Sequence, residues 1–206
     1  GYNREGRGFL LDFSPEINYH KHYINRYAFL FNEYIGNKYV YLPELSLRHT
    51  GQKTFQFDNS HKTIALYLGG ENKEFRKYPD EYAVQLLRLL NRQGYNLLLI
   101  GDENDNIKHT QYAEEARIDH LINLTARTTI EGFINTIANV DLIITIDSSA
   151  LHIAAAVKTP FIALMGLSTS PTSTILPKVP LGRILKIENN LIREEDYIRN
   201  ITPDLI

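Results

Sequence analysis

Residues 141–160, DLIITIDSSALHIAAAVKTP, join a strand-like segment directly to a helix-like one. The first six residues are mostly aliphatic and β-branched, a pattern typical of a strand buried on both faces. An acid and two serines, Asp147, Ser148 and Ser149, end this run, and a small-residue segment suited to a helix follows. A buried strand, a short polar turn and a helix in this order predict a parallel sheet covered by helices.

The same alternation extends on both sides of this junction, from residue 63 to residue 187. Apolar runs predict strands at 63–68, 95–101, 120–124, 141–146, 160–166 and 183–187. Patterns with helical spacing occupy residues 80–94, 105–117 and 128–140, besides the segment after Ser148. Thr128 and Glu131 stand at the spacing of a capping box, which indicates where the third of these helices begins. The chain is therefore predicted to be an α/β protein with helices on both faces of a parallel sheet.

The first 61 residues lack this alternation. Residues 17–36, INYHKHYINRYAFLFNEYIG, predict a helix that ends before Gly36. Residues 42–62 have no sustained period, and we interpret them as a linker. We therefore predict a partial domain with its linker at 1–61 and an α/β domain with a polar C-terminal tail at 62–206.

Composition narrows the class of protein. The 206 residues are 43% hydrophobic and 22% charged, as in a soluble globular protein. A net charge of -2 and a pI near 6.4 provide no global basic field, so a nucleic acid is not expected as a partner. Zero cysteines exclude disulfides and thiol nucleophiles and fit a cytoplasmic location. No apolar run approaches the ~18 residues that span a bilayer.

The turn after the strand 141–146 is a candidate anion site. A helix that starts at the carboxyl edge of a sheet presents free amides and the positive end of its dipole there. If Ser148 is the N-cap, His152 lies on the same face one turn further on and can reach the same anion. Asp147 would repel an anion, so we expect it to orient its neighbours. The alternative is that Ser148 merely caps a helix, a role worth about 1 kcal/mol.

Two further loops are predicted at the same edge. After the first strand come Gly69 and Gly70, which allow close backbone approach, and then the cations Arg76 and Lys77. The alternative for the cations is a solvated surface pair. Residues 102–106 follow the second strand, and carboxylates there could accept hydrogen bonds from ribose hydroxyls. Their alternative is a polar turn with a helix cap. The acids concerned are Asp102, Glu103 and Asp105.

Other kinds of site are rejected. Residues 102–113 start like a calcium loop but carry Ile107 at the sixth position and Ala113 at the twelfth, where glycine and glutamate are needed. His20 and His22 diverge within a helix, so we expect no metal there. The sequence contains neither a Gly-x-Ser-x-Gly nucleophile elbow nor a Walker phosphate loop.

Residues 62–177 resemble a known family in order and spacing. GGENKEFRKYPDEYAVQLLRLLNRQGYNLLLIG (69–101) and NLTARTTIEGFINTIANVDLIITIDSSALHIAAAVKTPFIALMGLSTSPTSTILP (123–177) look like the C-terminal half of glycosyltransferase family 9, the ADP-heptose:lipopolysaccharide heptosyltransferases. The resemblance implies a Rossmann-like donor-binding domain of the two-domain GT-B arrangement. Residues 1–61 would then be a remnant of the N-terminal, acceptor-side domain, and RYAFLFNEYIG (26–36) resembles its closing helix.

The resemblance also implies roles for individual residues. Asp147, Ser148 and His152 fall on the family's Asp-Thr/Ser-Gly-x-x-His motif, and Arg76 takes its lysine position. Ser149 stands where the family usually has glycine, and Tyr78 where it has tryptophan. The residues expected at the donor diphosphate are Ser148, Ser149, His152, Arg76, Lys77, Gly69 and Gly70. Those expected at the nucleoside are Asp105, Glu103, Leu124 and Thr125.

The function implied is sugar transfer from a nucleotide diphosphate, ADP-heptose by resemblance, to a saccharide or glycolipid acceptor of lipopolysaccharide type. This would be metal-independent inverting chemistry without a cofactor, at the cytoplasmic face of the bacterial inner membrane, and it leaves room for peripheral membrane association. The family's catalytic base belongs to the N-terminal domain, so no catalytic residue is assigned. The alternative is a module of the same fold that binds a nucleotide or a partner without chemistry.

Overall fold

The computed structural model describes residues 2, 7–16, 23–36, 45–69, 76–166, 176–177, 179–187 and 193–206. The chain forms two compact units. The first unit comprises Gly1–Glu44 with Thr169–Leu176, and the second comprises Leu45–Ser168 with Pro177–Ile206. The first unit contains a 3₁₀ helix, Arg7–Leu10, and helix α1, Tyr23–Ile35. Helix α1 ends before Gly36, as predicted, while residues 17–22 of the predicted helix lie outside the described residues.

The second unit is built on a six-stranded sheet whose neighbouring strands are all parallel. The strands are β1 (Thr63–Tyr67), β2 (Asn96–Leu99), β3 (Leu121–Asn123), β4 (Leu142–Ile146), β5 (Phe161–Leu164) and β6 (Gly182–Leu185). All six predicted strands are confirmed. Their order is β3-β2-β1-β4-β5-β6, so the direction of winding reverses between β1 and β4. In open α/β sheets, ligands bind at the carboxyl ends of the strands where this reversal occurs.

Four α-helices join these strands. They are α2 (Asp80–Arg92), α3 (Asn106–Ala116), α4 (Ile130–Ala138) and α5 (Ser149–Val157). Helix α2 packs with α3 and helix α4 with α5, as right-handed crossovers on opposite faces of the sheet require. Every residue of β1 and β2 is buried, because helices cover both faces. The predicted parallel sheet with helices on both faces is therefore confirmed.

The start of α4 differs from the prediction by one residue. Its N-cap is Thr129, whose hydroxyl accepts a hydrogen bond from the Gly132 amide at 3.1 Å. The predicted N-cap, Thr128 in a capping box with Glu131, is therefore one residue early: with Thr129 as the cap, the N3 residue is Gly132, which has no side chain to complete a capping box. Either threonine hydroxyl could cap a helix, and only the backbone conformation at Thr129 selects between them.

From Leu45 onwards, the segment predicted to be a linker belongs to the second unit. Its described residues 45–62 contain no helix or strand, yet its polar groups bond to α4 and α5. The amide and the hydroxyl of Thr50 both donate to Asn135 Oδ1 at 3.1 Å. The Leu47 amide donates to the carbonyl of Ala156 at 3.2 Å. The compact units therefore divide at residues 44 and 45, earlier than the predicted boundary between 61 and 62.

The C-terminal tail also packs on the second unit. It forms two 3₁₀ helices, Glu194–Asn200 and Pro203–Leu205, the second of which contacts α2. Ile198 and Ile201 of the tail are buried, and the Tyr78 hydroxyl donates to the carbonyl of Ile201 at 2.9 Å. Tyr78, at the position where the resemblance leads one to expect tryptophan, thus anchors the tail.

Among the described helices, not one combines the length and the apolar character that crossing a membrane requires.

Candidate functional site

A cavity of about 540 Å³ opens at the carboxyl edge of the sheet. Its walls come from the end of β1, the loops after β2 and β3, and the first turns of α4 and α5. The parallel pairing of β1 with β4, in which Leu66 lies opposite Ile144, brings these distant segments to one place. The cavity thus lies where the winding of the sheet reverses.

One side of the cavity is apolar. Tyr67 and Phe133 meet edge to face there, with ring centroids 6.2 Å apart and an interplanar angle of 73°. Ile153 of α5 lines the same cavity, as does Ile130, which is 81% exposed. A large apolar side chain exposed beside two aromatic rings is suited to pack against a flat apolar ligand group.

Another part of the cavity lining is acidic. Asp102 and Glu103, in the loop after β2, line the cavity. The Asp102 carboxylate accepts a hydrogen bond from the Asn104 amide at 2.8 Å, and Asp105 Oδ2 accepts one from the Asp102 amide at 3.3 Å. Asp102 and Asp105 also form a capping box, in which the side chain of each accepts a hydrogen bond from the backbone amide of the other, and this supports the conformation of the loop. Exposed carboxylates on such a loop can accept hydrogen bonds from ligand hydroxyls.

The other predicted nucleoside residues are not part of the described cavity lining. Asp105 is only 4% exposed and bonds within its own loop. Thr125 is fully buried, and its hydroxyl lies 2.7 Å from Nδ1 of His109. Leu124 is half-buried and is not part of the described cavity lining. Asp102 and Glu103 are therefore more accessible to a ligand than Asp105, because Asp105 is enclosed by its own loop.

Helix α5 begins beside this cavity with its first amides uncapped by a side chain. Ser148 occupies the N-cap position with an extended backbone, φ −148° and ψ 175°. Its hydroxyl lies 3.0 Å from the hydroxyl of Thr145 and makes no capping bond to a described amide. Ser149, the first residue of the helix, lines the cavity. The helix start therefore offers amides and a positive dipole end to an anion.

The loop after β1 reaches the loop after β4. The Arg76 guanidinium lies 3.7 Å from the Asp147 carboxylate, and both side chains are largely buried, at 19% and 14% exposure. This pair places a cation next to the start of α5. His152 is the fourth residue of α5 and is exposed.

The remaining predicted phosphate-binding residues are less informative. Gly70 lies outside the described residues, and Lys77 is half-buried. At Gly69, an added Cβ would stand 1.7 Å from Oδ1 of Asp105. The space that this glycine leaves on its Cβ side is therefore filled by the protein's own carboxylate.

Four apolar residues of the cavity were not predicted as functional: Tyr67, Ile130, Phe133 and Ile153. Their periodicity is that of core residues, and it does not distinguish a cavity wall from an interior. One feature of the sequence could have indicated these cavity residues. Ile130 and Phe133, spaced i, i+3, follow the threonine cap directly, so they lie in the first turn of a helix that begins at the carboxyl edge of the sheet.

Within the described part of the chain, no group of three or more histidine, aspartate or glutamate side chains is arranged to hold a metal ion.

Residues 1–195 match the family model described as glycosyltransferase family 9 (heptosyltransferase). The chain belongs to glycosyltransferase family 9. It is 32% identical over 154 residues to lipooligosaccharide heptosyltransferase 2 of Haemophilus influenzae, an alignment that covers 69% of this chain and 44% of that protein. It is 26% identical over 118 residues to lipopolysaccharide heptosyltransferase 2 of Salmonella typhimurium, covering 56% and 34%. This family 9 chain thus spans less than half the length of these relatives.

Solved structures show the same fold. The family 9 glycosyltransferase of Veillonella parvula superposes with a TM-score of 0.75 at 17% identity, covering 95% of this chain and 62% of that one. The Escherichia coli heptosyltransferase solved with ADP-2-deoxy-2-fluoro heptose gives 0.64 at 14% identity, covering 96% and 57%. At these identities the likeness establishes the family 9 fold, while the ligand of the second structure is a property of that protein.

Proposed function

We propose that this chain supplies the donor-binding half of a heptosyltransferase, which transfers a sugar from ADP-heptose to an acceptor of lipopolysaccharide type. One observation carries the proposal: a cavity with apolar and acidic walls lies next to an uncapped helix start, where the winding of the sheet reverses. A nucleoside diphosphate has the matching parts, namely a flat base, a ribose with two hydroxyls and an adjacent anion. Membership in family 9 and the names of the relatives support heptose as the sugar.

The nucleoside occupies the cavity in this proposal. The base packs on the apolar side formed by Tyr67, Ile130 and Phe133. The ribose hydroxyls donate hydrogen bonds to Glu103, with Asp102 beside it. Because the capping box already holds this loop, little conformational entropy is lost when the ribose binds.

The diphosphate lies at the start of α5. The amides of Ser148 and Ser149 donate to its oxygens, and Arg76 and His152 approach from the side. As the glycosidic bond breaks, negative charge accumulates on the departing nucleoside diphosphate. Preorganised amides and a guanidinium stabilise this charge more in the transition state than in the ground state, which lowers the barrier. Asp147 holds the Arg76 guanidinium in place for this task.

The proposed reaction also needs an acceptor and a base that deprotonates the acceptor hydroxyl. We assign no described residue to the base. The reaction so proposed needs neither a metal nor a cofactor, because amides and cations of the chain neutralise the diphosphate. The acceptor, a saccharide or glycolipid, accounts for the proposed position at the inner face of the membrane.

Calorimetric titration of the full-length protein with ADP, UDP and GDP tests the proposal. We expect ADP to bind and Phe133→Ala to weaken that binding at least tenfold, because the ring forms the apolar side of the cavity. Phe161→Ala is not a suitable control, since Phe161 is buried in β5. Phe57→Ala is the matched control, because Phe57 is an aromatic residue of the segment 45–62 and not a described part of the cavity lining. Absence of binding to all three nucleotides would favour an interaction module without chemistry.

A further inference from the structure

A buried side-chain pair joins helix α3 to the loop after β3. His109 lies on α3, and Thr125 lies two residues after the end of β3. Both residues are 0% exposed. Their Nδ1 and Oγ1 atoms lie 2.7 Å apart, which is a short hydrogen bond. A buried bond of this kind between residues of separate elements fixes the distance between those elements.

The loop after β3, residues 124–128, has a conformation that needs support. Ala126 lines the cavity with φ +60°, a left-handed value that is uncommon for residues other than glycine. Its amide donates to the carbonyl of Gly101 at 3.2 Å. The amide of Thr125 donates to Asn123 Oδ1 at 3.0 Å. Such a conformation persists only when its surroundings hold it, and the Thr125 side chain supplies part of that hold.

A second loop, residues 101–105, rests on the same imidazole. A Cβ added at Gly101 would stand 3.2 Å from Cε1 of His109, so the ring lies directly under this glycine. The loop then continues into Asp102 and Glu103, which line the cavity. One buried ring therefore contacts the acidic loop and bonds to the loop that carries Ala126.

We propose that His109 and Thr125 are positioning residues, which hold loops 101–105 and 124–128 at the spacing that the nucleoside requires. This inference rests on the proposed function, because the nucleoside is the ligand that the two loops would share. Neither residue contacts the ligand. They act through the carboxylates of Asp102 and Glu103 and through the backbone at Ala126.

Burial lowers the pKa of His109 to about 4, although the negative charge of Asp102 opposes part of the shift. The ring is therefore neutral at physiological pH. It stays buried in this form and keeps its hydrogen bond to Thr125. A neutral imidazole and a hydroxyl can share one hydrogen in either direction.

Thr159 provides a matched control for Thr125. Both threonines are buried, at 4% and 0% exposure, and the Thr159 hydroxyl donates to the carbonyl of Ile137 at 2.8 Å. Thr159 precedes β5 and therefore lies at the opposite, amino edge of the sheet. Replacing either threonine with valine removes one buried hydroxyl at nearly constant volume. A merely structural role predicts the same consequences for both substitutions.

The test compares Thr125→Val, Thr125→Ser and Thr159→Val in the full-length protein. Hydrogen–deuterium exchange without nucleotide reports on the loops, and calorimetry reports on ADP affinity. We expect both valine variants to lower the midpoint of thermal unfolding. Only Thr125→Val should accelerate exchange in residues 101–105 and 124–128 and raise the Kd for ADP about three- to tenfold, the factor that one hydrogen bond represents. Thr125→Ser keeps the hydroxyl and should restore both values.

A double-substitution cycle addresses the partner. Once His109→Leu has removed the imidazole, a further Thr125→Val should add nothing to loop exchange, because the two residues act through one bond. Independent, additive effects on exchange would overturn the inference. It would also be overturned if Thr159→Val accelerated exchange in the same two loops as much as Thr125→Val.

Failure of the proposed function would look different. If the unsubstituted protein bound no nucleoside diphosphate, that function would be refuted. The exchange data, which need no ligand, would still decide whether His109 and Thr125 hold the loops together.

Discussion

At the scale of single residues, the site depends on charges that the fold partly removes from water. Arg76 and Asp147 are the clearest case, because both side chains are less than 20% exposed and their charged groups lie 3.7 Å apart. Asp147 partly offsets the cost of burying the guanidinium, and it keeps that guanidinium beside the start of α5. The guanidinium is thus already positioned before an anion binds.

Arg76→Ala should lower the kcat/KM of the full-length enzyme with ADP-heptose by about tenfold to a hundredfold, since one charged donor to the leaving diphosphate is lost. Steady-state kinetics with varied donor measure the effect. Arg88→Ala is the control, because the Arg88 guanidinium donates to the carbonyl of Glu115 on the α2–α3 side. Equal kinetics for the two variants would refute the role of Arg76.

His109 gives stability a specific dependence on pH. Its pKa is about 4 in the folded protein and about 6.5 in an unfolded chain, so the unfolded chain binds the proton more tightly. The stabilisation is fully present above pH 6.5 and is lost as the pH falls towards 4, by up to about 1.4 kcal/mol per pH unit. Urea unfolding at pH 7.5, 6 and 5 should show a steeper loss for the natural protein than for His109→Asn, which cannot titrate. Parallel pH profiles would contradict the burial of a neutral imidazole.

At the scale of elements, the segment 45–62 shows how a stretch without regular structure becomes part of a domain. Asn135, only 3% exposed on α4, accepts two hydrogen bonds from Thr50, and the Thr54 hydroxyl lies 2.6 Å from that of Thr136. These bonds attach the segment to the helix whose first turn forms the apolar side of the cavity. The segment therefore supports α4 from the end that is remote from the ligand.

Asn135→Ala should reduce the free energy of unfolding by about 1–2 kcal/mol, because it removes a buried side chain and the two hydrogen bonds that it accepts from Thr50. Asn139→Ala should cost less than about 1 kcal/mol. The side-chain amide of Asn139 reaches the carbonyls of Gly51 and Gln52 only at 3.4 Å, and its short bond, 2.8 Å, goes to the backbone carbonyl of Asn135 within the same helix. Chemical denaturation of both variants makes the comparison, and equal losses would show that the segment does not depend on Asn135.

At the scale of the whole molecule, the proposed function assigns stability and ligand binding to different apolar residues of the second unit. Ile201, in the tail, is fully buried, whereas Ile130 is 81% exposed at the cavity. Burying an isoleucine stabilises the fold, and an exposed isoleucine contributes to stability only when a ligand covers it.

Ile201→Ala should therefore reduce the free energy of unfolding by about 2–4 kcal/mol and leave the Kd for ADP nearly unchanged. Ile130→Ala should do the reverse, with a stability change within about 0.5 kcal/mol and a Kd raised about fivefold. Denaturation and calorimetry on the same two preparations provide both readouts. A loss of ADP affinity in Ile201→Ala as large as that in Ile130→Ala would show that the two properties are not separable.

Local pattern was sufficient for the elements of the second unit. The six strands and the helices between them follow from runs of apolar residues and from helical spacing, which depend on neighbours only a few residues away. Ser148 was recognisable as a helix start for the same reason. The consecutive threonines before α4 mark the limit of this approach, because the capping-box spacing points to Thr128, whereas the folded backbone makes Thr129 the cap.

By itself, then, the amino-acid sequence determined the class of fold, the strands and helices, and the edge of the sheet where Ser148 lies. Only the tertiary structure decided that β1 pairs with β4, that Asp105 fills the space beside Gly69, and that Tyr67 and Phe133 form a cavity wall. The physical reason is range. Periodicity is a property of adjacent residues, whereas burial and cavity shape depend on contacts between segments that are distant along the chain.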